Sequence, residues 1–245
     1  MSYANSRIPS SAQVGIHEHL ERCVARHVAS PFRKPHAAYS VDALDQALAG
    51  WDGRAGLILD AGCGVAHSTI QIAREHPEAW VIGVDQSADR LARRKPYPEA
   101  LLPRNMVLVR ADLVDFWRLL VERGVRLRKH FILYPNPWPK IGHLGRRWHA
   151  HPVFPFVPRL GGELEMRTNW RVYAEEFALA LGMLTGREVP WQSFEPGAPL
   201  TPFERKYRDS GQALYRVHLA LGDAALDGAA EAVHASAGTQ RESHR

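Results

Sequence analysis

The stretch LILDAGCGVAHST, residues 57–69, decides how this 245-residue chain is read. A short apolar run (Leu57, Ile58, Leu59) meets an acid, Asp60, and then a tight turn, Gly62-Cys63-Gly64. Polar Ser68 and Thr69 follow, and Ile70, Ile72 and Ala73 continue with helical spacing. The pattern predicts a buried strand, a glycine turn and a helix N-terminus, which together cradle a nucleotide-like ligand. Glycine lets the backbone bend sharply there and approach a ligand without a Cβ in the way.

Two details choose the ligand. A dinucleotide fingerprint needs a third glycine three positions after the second, and His67 stands there. Asp60 also precedes the turn at the strand tip, where a carboxylate repels a pyrophosphate but attracts an ammonium such as that of a methionine moiety. The stretch therefore reads as an S-adenosylmethionine site built on Asp60, Gly62 and Gly64. The alternative is a structural strand-to-helix turn.

The length suits one sizeable domain, or one domain with extensions. A net charge of +5 makes an anionic partner plausible. Two cysteines, Cys23 and Cys63, cannot build a disulfide framework, and there is no CxxC pair to suggest zinc. The first residues lack the apolar core of a signal peptide, and no apolar run approaches membrane-spanning length. The expectation is a cytoplasmic protein, away from membranes, with monomer or homodimer left open.

Working outward, residues 1–15 are polar and expected to be disordered. Residues 16–50 are expected to form an N-terminal helical extension of two helices covering one side of the ligand site. Leu20, Cys23, Val24 and Val28 share a face in the first, and Val41, Leu44 and Leu48 in the second. The main domain is expected over 51–221, and residues 222–245, rich in Ala, Gly, Ser and His, as a disordered tail.

Two further strands end in acids. Residues 80–84 lead to Asp85, 25 positions beyond Asp60, where a carboxylate can accept both hydroxyls of a ribose. The alternative, a helix cap, falls better on Ser87. The cluster Arg93-Arg94-Lys95 after it reads as a solvated face. Residues 106–109 lead to Asp112, placed to accept from an adenine amino group while Leu113 packs on the ring. Asp112 can also cap the helix that follows. Three successive strands, each ending in an acid, imply an open, mainly parallel α/β sheet with the ligand across its C-terminal edge.

The second informative stretch is PNPWPKIGHLGRRWHAH, residues 135–151, after a strand over 130–134. Pro135, Pro137 and Pro139 freeze a loop at the sheet edge and hold Asn136 and Trp138 where a methyl group would emerge. Lys140, His143, Arg146 and Arg147 supply cations for phosphate contact beside Trp138 and Trp148. A His143/His149/His151 metal site is the less favoured alternative. Further strands are predicted over 163–167, 188–194 and 213–219, with an apolar-faced helix from Trp170. TPFERKYRDSGQ, residues 201–212, reads as a polar, basic loop.

Taken together these stretches resemble the tRNA (guanine-N7)-methyltransferase family over roughly residues 57–219. The most specific parts are PNPWPK followed by Arg146-Arg147, then GGELEMRTN and TPFE. The resemblance implies a Rossmann-like class I methyltransferase fold, with a mainly parallel seven-stranded sheet and helices on both faces. It implies S-adenosylmethionine as cofactor, held by Asp60, Asp85 and Asp112, and a guanine in the variable loop of tRNA as acceptor. Asn136 falls on the position of the family's catalytic aspartate. Lys140, Asn169, Thr201, Phe203 and Glu204 fall on substrate-binding positions, and the stretch after Lys140 on the RNA-contacting loop.

The chain departs from the family pattern at Asn136 and Asn169, where aspartates are usual, and at Pro202, where lysine is common. Two alternatives stand beside the tRNA enzyme. One is a diverged paralogue methylating another RNA or a small acceptor. The other is a non-catalytic RNA-binding module.

Overall fold

The computed structural model describes residues 8, 10–30, 32–93 and 101–222. Among them the elements run α1 (Leu20–Ala29), α2 (Ala38–Ala49), β1 (Gly56–Ala61), α3 (His67–Glu75), β2 (Ala79–Asp85), α4 (Ala88–Ala92), β3 (Met106–Arg110), α5 (Leu113–Glu122), β4 (Lys129–Leu133), β5 (Glu163–Thr168), α6 (Arg171–Thr185), β6 (Trp191–Phe194), α7 (Pro202–Asp209) and β7 (Leu214–Ala220). Short 3-10 turns fill much of the connection from Ile141 to Leu160, where Pro152, Pro155 and Pro158 prevent a regular helix.

The run Leu57, Ile58, Leu59 is buried throughout, as a strand covered on both faces must be. Leu57 and Leu59 cluster with residues of α1, α2, α5 and α6, whereas Ile58 clusters with Ile72 and Ala73 of α3. Helices therefore cover both faces of the sheet. Its order is β3-β2-β1-β4-β5-β7-β6. β1 to β5 pair in parallel, and β7 runs antiparallel to both β5 and β6. The chain moves outward from β1 through β2 to β3, then returns to β4 on the other side. That reversal opens a crevice beyond the carboxyl ends of β1 and β4, where open α/β sheets bind ligands.

Asp60 pairs across β1 and β2 with Gly83. A Cβ at Gly83 would lie 2.5 Å from Thr69 Oγ1, so only glycine lets α3 settle against the sheet there. This close approach brings the first turn of α3 to Asp60.

Four expectations need correction. Residues 11–15 are not disordered: Ser11 and Gln13 hydrogen-bond to Pro139 and Glu176, far along the chain. The first helix starts at Leu20, after a turn at His17 to His19, rather than at Ile16. Strand β6 starts at Trp191, just after Pro190, which has no N–H for a ladder. The stretch 201–212 is no loop but contains α7, whose start is a capping signature: Thr201 Oγ1 accepts from Glu204 N at 2.9 Å, with Pro202 at the first helical position. Arg94 and Lys95 of the basic cluster, residues 1–7, and the tail from 223 lie outside the described residues.

Candidate active site

The carboxyl ends of β1, β2 and β4 open into a cleft of about 600 Å³. Its floor is the turn after β1. Gly62 and Gly64 adopt φ of 83° and 59°, and the N–H groups of Gly62 and Cys63 both donate to Val84 O. The turn is thereby stitched to β2, and its glycines line the cleft with backbone.

Asp60 lies beneath this floor, at 1% exposure. Its Oδ2 accepts from Ser68 Oγ at 2.6 Å and from Thr69 Oγ1 at 2.7 Å. Burial pushes the carboxyl up to about 6; the two hydroxyls oppose this, and the Asp85 charge adds to it. The expected direct salt bridge to an ammonium is therefore corrected. Asp60 is not part of the cleft wall, and it ties the start of α3 to β1.

Asp85 and Asp112 do line the cleft. Asp85 Oδ2 accepts from Gly64 N at 2.9 Å and Oδ1 from Ser87 N at 2.8 Å, so each oxygen keeps a second lone pair, and the exposed Arg90 guanidinium stands 3.7 Å from Oδ2 as an ion pair. Asp112 caps α5 by accepting from Val114 N at 2.9 Å through Oδ1. Leu113 lies beside it in the wall. Arg90, Arg93 and His151 also line the cleft; the sequence gave the two arginines no part in ligand binding and offered His151 only in the less favoured metal alternative. Arg93 belongs to the cluster expected to be a solvated face.

The opposite wall carries Tyr134, Asn136, Trp138, Arg146, Thr201 and Phe203. The loop after β4 is strained: Tyr134 and Trp138 have φ of 51° and 46°, each costing on the order of 1–3 kcal/mol for a bulky side chain. Asn136 Oδ1 accepts from Trp138 N at 3.3 Å. The Arg146 guanidinium lies 4.8 Å from the Trp138 ring centre, and His143 meets the same ring edge-on. Loss of hydration, followed by the charges of Arg146, Lys140 and Arg147, lowers the His143 pKa. Exposed Phe203 stacks on Tyr207. This wall offers flat aromatic faces and cations, while the acids on the other side offer acceptors.

Not every expected substrate residue reaches this wall. Lys140 is exposed and His143 half-buried, outside the cleft itself. Asn169 donates to Gln212 Oε1 at 2.9 Å and also lies outside it. Two residues are corrected outright. Glu204 is fully buried, with Oε1 accepting from Tyr134 Oη and Arg167 Nη1, both at 2.9 Å, and Oε2 from Leu200 N. Burial and the Glu204 charge push the Tyr134 phenol well above its ordinary range.

Arg147 is equally buried, with Glu176 as its partner, so it meets no phosphate. His149 donates to the same Glu176 oxygen at 2.8 Å, which removes it from any histidine metal set. Among the described residues no cluster of His, Cys, Asp or Glu is arranged to hold a metal. Burial raises Glu176, but the His149 hydrogen bond and the charges beside it hold the carboxyl down to about 2. The sequence signal for Glu176 was an acid on the apolar face of α6, immediately before Phe177.

A family model described as "Putative methyltransferase" matches residues 54–217. The chain belongs to this methyltransferase family. The matched region takes in both walls of the cleft and leaves out α1 and α2.

The chain is 28% identical over 164 residues to the tRNA (guanine-N(7)-)-methyltransferase of Treponema pallidum (strain Nichols), covering 66% of this chain and 65% of that protein. It is 32% identical over 177 residues to the tRNA (guanine-N(7)-)-methyltransferase of Mycolicibacterium paratuberculosis (strain ATCC BAA-968 / K-10), covering 67% and 66%. The chain thus spans just under two thirds of the length of these curated relatives. The 16S rRNA methyltransferase KamB superposes with a TM-score of 0.52 at 16% identity, covering 76% of this chain and 95% of that one. That likeness shows the fold.

Proposed function

We propose that this methyltransferase transfers a methyl group from S-adenosylmethionine to N7 of a guanine in tRNA. The observation that carries the reading is the single cleft joining Asp85 and Asp112 to Asn136, Trp138, Arg146 and Phe203. The names of the curated relatives support the acceptor.

The residues present fit the cofactor. Asp85 keeps a lone pair on each oxygen for ribose hydroxyls, and Asp112 Oδ2 is left over from capping to accept from the adenine amino group. The glycine floor admits the ligand close to the backbone. Asp60 acts one layer down, holding α3 so that Ser68 and the turn keep their shape. Bound there, S-adenosylmethionine supplies an electrophilic methyl group on its sulfonium.

Guanine N7 carries an in-plane lone pair, so its attack on that methyl needs no proton removed first. No general base is therefore required of Asn136, and Tyr134, its phenol pushed up by burial, serves as none. Asn136 orients the acceptor, Trp138 and Phe203 offer stacking faces, and Arg146 and Lys140 meet phosphates. The retained cleft acids favour this over a non-catalytic binding module.

The test is incubation with isotope-labelled cofactor and unmodified total RNA, followed by mass spectrometry of the nucleosides. Label in 7-methylguanosine is expected. Label in another nucleoside, or only in small molecules, selects the diverged-paralogue reading instead.

A further inference from the structure

The segment 11–17 lies outside the matched family region, yet it enters the fully buried polar cluster of Arg147, His149 and Glu176. Its residues alternate: Ser11, Gln13 and His17 turn inward, while Val14 is 99% exposed. Gln13 Nε2 donates to Glu176 Oε1 at 2.6 Å, and Gln13 Oε1 accepts from Arg147 Nη2 at 2.9 Å. Arg147 Nη1 donates to Glu176 Oε2 at 2.6 Å, which closes a three-membered ring of side chains. The His17 backbone N–H adds a bond to Glu176 Oε1 at 3.0 Å.

The ring is attached to the acceptor-side loop. Arg147 Nη2 and Nε both donate to Trp138 O, at 3.2 and 3.3 Å, and Ser11 Oγ donates to Pro139 O. These carbonyls are the natural handles of the loop. Pro135, Pro137 and Pro139 have no N–H, so the segment offers few donors to hold it by. Trp138 meanwhile sits at positive φ, a conformation that persists only where the surroundings over-determine it.

We propose that Gln13 is a positioning residue for methyl transfer: with Ser11 it straps the carbonyls of Trp138 and Pro139, through Arg147, and so fixes Asn136 and Trp138 at the acceptor wall. Gln13 is not needed to neutralise anything, since Arg147 and Glu176 already balance one another. What it adds is orientation of the guanidinium that grips Trp138. The inference rests on the acceptor reading given above for its effect on rate, but not for its effect on the loop.

The experiment therefore has two arms, applied to wild type, Gln13→Ala and Ser11→Ala in the full chain. Amide hydrogen exchange, followed by mass spectrometry, reads the loop without reference to any substrate. Faster exchange at Trp138 and Lys140 in both variants is expected, with the strands β1 to β5 unchanged. Single-turnover methyl transfer to unmodified tRNA is expected to fall about tenfold in Gln13→Ala, within the range that misplacing reacting groups costs. Cofactor affinity stays within about twofold of wild type, since Asp85 and Asp112 are untouched. A purely structural role would instead raise exchange throughout the chain.

Loop exchange equal to wild type in both variants, or raised evenly everywhere, overturns the proposal. A locally loosened loop in a protein whose wild type transfers nothing to tRNA sinks the acceptor reading and leaves the strap standing.

Discussion

Arg147 Nη1 stands 2.6 Å from Glu176 Oε2, and neither side chain reaches solvent. The adjacent Arg146 points outward over Trp138. Two neighbouring arginines thus take opposite places, one inside bonded to Trp138 O and one outside over the Trp138 ring.

The buried pair makes a stability prediction. Removing one partner strands the other's charge in the interior, at a typical cost of about 3–5 kcal/mol. Glu176→Gln should lose roughly that amount in urea unfolding at neutral pH. The sign with pH follows from the depressed carboxyl. Its contribution is full above the ordinary glutamate range near 4.5 and is lost as pH falls through about 2. Acid should therefore destabilise wild type through this group and spare the variant that loss. If Glu176→Gln unfolds at the same urea concentration as wild type, the pair contributes nothing net.

A second prediction separates the two acids at the tips of β1 and β2. Asp85→Ala leaves ribose hydroxyls short of a charged acceptor, which costs about 1.5–3 kcal/mol, or roughly ten- to hundredfold in cofactor affinity. Asp60→Asn keeps an acceptor for Ser68 and Thr69 and does not alter the cleft wall. Calorimetric titration should show a large loss for the first and a small one for the second. The reverse order would place the ribose or the ammonium at Asp60 after all.

The third prediction concerns RNA. Lys140 and Arg146 are exposed beside the acceptor wall, and Arg205 is exposed on α7. Each phosphate contact removed should lower the log–log salt slope of tRNA binding by about 0.7 to 0.9. Arg146→Ala and Lys140→Ala should each show that decrement by fluorescence anisotropy across a salt series. Binding by wild type with no salt dependence would exclude these cations from phosphate contact.

The contrast between Arg146 and Arg147 also marks how far the sequence could be read. Strands β1 to β4 were legible because a parallel sheet covered on both faces demands apolar runs, and Asp60, Asp85 and Asp112 punctuate three of them; β5 showed instead as an alternation, with Leu164 and Met166 buried between Glu163, Glu165 and Arg167. The burial of Arg147 was not legible, because its partner lies 29 residues later on α6 and nothing local distinguishes it from Arg146. Helix α7 has a different reason for being missed. Its buried face is the single residue Glu204, so it shows no apolar stripe, and only Thr201, Pro202 and Glu204 signal its start. The strap at Ser11 and Gln13 is held by polar contacts to distant residues, which a polar composition cannot reveal.

The last prediction turns on Asn136, the position where the sequence resemblance leads one to expect an aspartate. Methylation at N7 places a positive charge on the guanine, and a carboxylate beside it would stabilise that charge as it develops. Asparagine still accepts from Trp138 N through Oδ1, so the loop geometry survives the exchange of one side chain for the other. What asparagine lacks is the negative charge. Losing one electrostatic partner of this kind typically costs about 2.7–4 kcal/mol, or 10²–10³ in rate, judged by oxyanion-hole deletions. A slow enzyme is expected, and Asn136→Asp should raise turnover on tRNA. An aspartate can keep the bond from Trp138 N on one oxygen and turn the other toward the base. The measurement is single-turnover transfer by both proteins at saturating cofactor, with cofactor affinity measured alongside. If wild type methylates some other acceptor well, and Asn136→Asp gains nothing on tRNA, then the asparagine is matched to that acceptor and guanine N7 is the wrong assignment.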